Sequence, residues 1–85
     1  LSLHDALPIF ARAPGLPRAL ALQGALQLTR AVHLADPAQQ RASLRAAAES
    51  LERAFAGNPL LKRRYGRESE EVGRRLAVAD RAPAP

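Results

Sequence analysis

The sequence predicts an all-α protein, an antiparallel helical hairpin followed by a third helix. Two junctions of an acid or amide with proline, Asp36-Pro37 and Asn58-Pro59, stand 22 residues apart, the length of one helix with its stops. Apolar residues recur at helical spacing, most clearly Leu44, Ala47, Ala48, Leu51 and Phe55. Strand formers are scarce: one Ile, three Val and 4% aromatics leave too few β-branched and aromatic side chains to build a sheet. Ala and Leu supply most of the hydrophobic content, so the core has few large side chains. A chain of this size is expected to be marginally stable, with roughly 3–5 kcal/mol as the upper limit.

Residues 1–9 read L-S-L-H-D-A-L-P-I. They resemble the translation of a common short-read sequencing adapter, all nine residues in one frame, with Phe10 completing the junction. Residues 1–10 are therefore expected to be an adapter-derived, non-biological scar, and the biological N-terminus to lie upstream. On that reading His4 and Asp5 are not a catalytic pair. Residues 11–17, with two Pro and a Gly, form a linker by composition.

The first helix is expected at about 18–35, with Pro17 in its first turn. Gln23, Gln27, Arg30 and His33 share one side. Ala21, Gly24, Ala25, Leu28, Val32 and Ala35 share the other, a small-residue stripe that admits a second backbone. Leu20, Leu22, Leu26 and Leu34 fall outside the stripe, and a helix apolar on several sides is covered by more than one neighbour. That excess predicts a further helix, upstream in the same chain or in a partner protein.

The second helix, about 37–56, opens with Asp36 as its cap, Pro37 at the first helical position and Gln39 completing a capping box. Gly57 is expected to close it in the left-handed conformation. Arg45, Glu49 and Arg53 form a charged line along one flank. The third helix, about 59–79, carries Leu61, Tyr65, Val72, Leu76 and Ala79 on one face, with a break expected near Gly66. The i,i+4 pairs Arg64/Glu68, Arg67/Glu71, Glu70/Arg74 and Glu71/Arg75 mark its solvated side. Residues 81–85 are expected to be a disordered tail. The expected core is Leu28, Val32, Leu44, Leu51, Phe55, Leu61, Tyr65, Val72 and Leu76, with Phe55→Ala the costliest single change.

Net charge is +5, from 12 Arg and one Lys against eight acids, and this Arg skew fits a GC-rich bacterial coding sequence. Absence of Cys removes disulfides and thiolate metal ligands from consideration. No apolar run reaches the roughly 20 residues of a membrane span. His33 has no second His or Cys for a metal site, and reads as a helix-end residue meeting the C-terminal dipole. Ser43, Ser50 and Ser69 have no base nearby in sequence, and Glu70 and Glu71 point about 100° apart on a helix. No catalytic, cofactor-binding or metal-binding residue is assigned, and no enzyme activity or cofactor is expected. Lys62, Arg63, Arg64 and Arg67 form one basic cluster. With Glu68, Glu70 and Glu71 among them, a solvated face outranks nucleic-acid binding.

Residues 25–37 and 47–59 resemble the second helix of tetratricopeptide repeats. Ala47, Leu51, Ala54 and Pro59 fall at that family's small, large, small and proline positions. The 22 residues between the two prolines depart from its 34-residue period, so the resemblance is to a degenerate or terminal unit. It implies a non-catalytic, protein-binding helical scaffold. The phrase A-F-A-G-N-P-L-L-K-R-R-Y-G is also similar to helical tails of bacterial O-antigen ligases and polymerases. That resemblance implies a C-terminal extension of a membrane glycan enzyme as one alternative, beside a basic nucleic-acid-binding unit.

Overall fold

A computed structural model describes residues 15–81, and the expectations for the adapter-derived stretch, most of the linker and the tail beyond Arg81 lie outside them. The protein is all-α. Helix α1 spans Leu16–His33, α2 Pro37–Gly57 and α3 Leu61–Arg81. The first two form the antiparallel hairpin; α3 packs mainly on α2 and touches α1 more lightly.

Small residues decide how the hairpin closes. Ala21, Gly24, Leu28 and Ala31 are the buried positions of α1, and Leu44, Ala47, Ser50, Leu51 and Ala54 those of α2. A Cβ built on Gly24 would lie 2.7 Å from Leu51 Cγ and 3.2 Å from the Ala47 carbonyl oxygen. The two backbones therefore meet at Gly24 and Ala47, with Leu51 lying across the missing side chain. This register turns the buried stripe toward Ala31, and Val32, one residue or about 100° further around the helix, is left 46% exposed. Val32 thus leaves the expected core.

Leu28, Leu44, Leu51, Leu61 and Val72 are buried as expected, joined by Ala21, Ala31, Ala47 and Ala54. Phe55, Tyr65 and Leu76 are only partly buried, packed against that cluster from its edge. Leu51, at 1% exposure, takes the central place expected of Phe55.

The helix ends follow the sequence signals in part. Pro17 lies in the first turn of α1, and Leu34, in extended conformation, stops the helix as its N–H donates to Ala31 O. Asp36 caps α2, its Oδ1 accepting from the Ala38 N–H at 3.2 Å. The expected capping box through Gln39 is replaced by Gln40, whose Nε2 donates to the Leu34 carbonyl and ties the turn together. Gly57 does not take a positive φ. It stays helical, and Asn58, extended, ends α2 with its N–H on Ala54 O. Gly57 instead provides room: a Cβ there would sit 2.8 Å from Pro17 Cγ, where α1 begins against the end of α2.

Asn58 also turns the chain into α3, its Oδ1 accepting from Leu60 N–H at 3.2 Å. The helix starts at Leu61, two residues after the proline expected to open it. It runs unbroken through Gly66 and Gly73 to Arg81, because the ladder of backbone bonds and the buried pair Leu61 and Val72 hold it where local propensity is weak.

Candidate functional surface

Three surfaces carry side chains able to meet another molecule. The first is the outer face of α1, where Leu22 is 54% and Leu26 61% exposed, one turn apart and opposite the face that meets α2. Toward the C-terminal end the same face turns polar with Thr29 and His33, while Val32 stands exposed at its edge. His33 lies at that same end, its Nδ1–H donating to the Thr29 carbonyl at 2.9 Å. A carbonyl only accepts, so this bond requires the tautomer with the proton on Nδ1.

The second is a cleft of about 520 Å³ between the start of α2 and the end of α3. The buried Ala31 and Leu44 give it an apolar floor, with the exposed Val78 and the arginines Arg41, Arg74 and Arg75 around it. Arg41 braces it: Nη2 donates to the Ala79 carbonyl at 2.8 Å, and Nε lies 3.7 Å from Asp80 Oδ1. Ala79 is among the last four carbonyls of α3, which have no partner within the helix, and a cation there also meets the negative end of the helix dipole. Arg45 reaches the same Asp80 oxygen at 3.7 Å. The charged line expected along α2 is therefore split, with Glu49 paired to Arg53 at 2.9 Å and Arg45 turned across to α3. Replacing Arg41 with Ala should release the last turn of α3. Amide exchange at residues 78–81 then speeds up severalfold while that of Leu51 changes little, with a global cost of about 1 kcal/mol. Equal acceleration throughout would mean that Arg41 is not a local brace.

The third surface is the solvent side of α3. Of the four expected i,i+4 pairs only Glu71/Arg75 forms, at 2.9 Å; Arg74 lies 4.0 Å from the same carboxylate. Glu68 is half-buried, and its Oε2 is buried without a hydrogen-bond partner. Glu71 is likewise drawn to the flank. The other three do not form: the Glu71 carboxylate is taken by Arg75 and Arg74, Glu68 is turned to the half-buried flank, and Glu70 stays exposed without an ion pair among the described residues. Arg64 instead stands over the Tyr65 ring, 5.8 Å from its centroid.

Two of the three candidate serines bond across the hairpin, while Ser69 is half-buried and Glu70 exposed on α3, neither with a side-chain partner among the described residues. Ser43 Oγ donates to the Gln27 carbonyl at 2.9 Å and Ser50 Oγ to Gln27 Oε1 at 2.8 Å. Gln27, placed by sequence on the polar side of α1, thus faces α2 and satisfies the hydroxyl of the buried Ser50. Such cross-helix hydrogen bonds are invisible to periodicity, since they depend on register between helices. Among the described residues no group of three or more His, Cys, Asp or Glu is placed to hold a metal ion, and no helix is long and apolar enough to cross a membrane.

Fold and surface together define a small helical unit in which Gln27, Arg41, Ser43, Arg45, Ser50 and Asp80 tie helix to helix, with exposed leucines on α1 and exposed arginines on α3. Comparison with protein-family models, with curated proteins and with solved structures found no match.

Proposed function

We propose that the chain is a non-catalytic helical scaffold unit, tetratricopeptide-like in arrangement, whose α1 outer face docks a further helix from a protein partner or from its own parent chain. The observation that carries this reading is the pair Leu22 and Leu26, more than half exposed on a helix whose opposite side is already covered by α2. Two leucines one turn apart, with the small Ala19 and Ala25 beside them, offer ridge and groove to a second helix. Full burial of each leucine contributes about 1.5–3 kcal/mol, enough for them to dominate a contact of this size.

An uncovered face of this kind makes the 85-residue chain associate with itself when no partner is present. Sedimentation velocity over a concentration series should show reversible self-association. The double substitution Leu22→Glu and Leu26→Glu should abolish it without loss of helicity by circular dichroism. A wild-type chain that stays monomeric at high concentration, or association unaltered by the two substitutions, counts against this face as the docking surface.

A further inference from the structure

We propose that the solvent face of α3 is a second interaction surface, one that binds the phosphate backbone of a nucleic-acid duplex. It goes beyond the scaffold reading and rests on a different helix face. Leu61, Tyr65, Val72 and Leu76 turn inward. At about 100° per residue, the line diametrically opposite them holds Arg63, Arg67, Arg74 and Arg81, all within about 40° of one another. All four are exposed. Glu70 is the one acid on that line, because Glu68 and Glu71 have been rotated to the flanks. Among the described residues Arg63, Arg67 and Arg81 have no ion-pair partner, and Arg74 meets Glu71 only at 4.0 Å with its side chain 71% exposed. Charges that look mixed in sequence are therefore sorted in space, and the face is a basic ridge about 27 Å long at 1.5 Å per residue.

The chemistry of the ridge selects among anionic partners. Guanidinium groups bind phosphate through a planar fork, and four in a row match a polymer of regularly placed phosphates. A membrane-surface helix needs a continuous row of large apolar side chains beside its cations; here the positions next to the arginines are Gly66, Gly73 and Ala77, with only Leu60 at one end and Val78 near the other large and apolar. An acidic protein partner would call for an apolar or aromatic anchor in the contact, which the ridge does not offer. No aromatic stands on this face for a base to stack on, which favours a duplex over a single strand. Nothing reaches out to read base edges, so the binding is to the backbone and independent of sequence.

Fluorescence anisotropy of the 85-residue chain with a labelled DNA duplex of arbitrary sequence, about three helical turns long, tests this across a salt series. Binding should weaken as salt rises, with a slope of log K on log salt of about −3.6, from roughly −0.9 for each of four arginines. Changing Arg63, Arg67, Arg74 and Arg81 together to Gln should lower affinity at least tenfold at low salt. A charge-matched control with Arg18, Arg30, Arg45 and Arg53 changed to Gln should lose much less. Arg67→Gln alone, which leaves the fold the least disturbed, should reduce the slope by about 0.9. Absence of binding at low salt, equal losses in the two quadruple variants, or binding to phosphatidylserine vesicles in preference to the duplex would each overturn the assignment.

Discussion

Replacing Leu51 with Ala should remove most of the cooperative unfolding transition of this protein. Leu51 is 1% exposed, lies against Gly24, and is one of the two largest fully buried side chains. Deleting its isobutyl group costs the lost transfer energy and leaves a cavity, together about 3 kcal/mol in a core with little freedom to collapse. Four of the nine buried core residues are alanine, and alanines have no rotamers with which to fill a void. Against a total of roughly 3–5 kcal/mol the loss is nearly the whole stability. Thermal denaturation followed at 222 nm should show a broad, early melt. Phe55→Ala should cost less, because that ring is only partly buried. Should Phe55→Ala prove the more damaging of the two, the centre of the core lies elsewhere.

Gly24→Val should be comparably severe for the opposite reason. Even the Cβ comes within 2.7 Å of Leu51 Cγ and 3.2 Å of a backbone oxygen on α2, and the branched methyls need space that the hairpin does not have. Overfilling of this kind costs about 1–3 kcal/mol, and more where backbone must move. Gly24→Ala is the finer probe. Its gain of about 1 kcal/mol in helix propensity opposes the clash, so the single variant should be mildly destabilised. Combined with Leu51→Ala, the added methyl enters vacated space, and the double variant should be more stable than Leu51→Ala alone. Strict additivity in that cycle would show that the two residues do not share a contact.

Much of the fold was legible because its signals are local. Asp36 and Pro37 start α2 through a hydrogen bond and a fixed φ that need no neighbour, and the Asn58-Pro59 junction marks the next turn for the same reason. The hairpin and five of the nine expected core residues follow from these and from apolar spacing, while α1 starts and stops two residues before its expected bounds and α3 two residues after. What depended on a second helix was read less well. Gly57 was expected as a left-handed cap, but it is kept small by Pro17 from forty residues earlier in the chain. Gln27 looked like a solvent residue until Ser43 and Ser50 were seen to donate to it. The expected ion pairs of α3 assumed that spacing alone joins charges; instead Arg75 and Arg74 share Glu71, Arg64 stands over Tyr65, and three of the four do not form.

The same division runs through the surfaces. Composition and periodicity by themselves determined that this chain is helical, that α1 carries more leucine than one neighbour can cover, and that its excess charge is arginine. Helical periodicity places side chains around an axis, and that much needs only the chain. Tertiary structure alone decided which sector of α1 faces inward, because that choice depends on how closely two backbones approach. Gly24 sets that distance in the hairpin, leaving Val32 outside. Burial of Leu61 and Val72 leaves the line of arginines opposite them facing solvent.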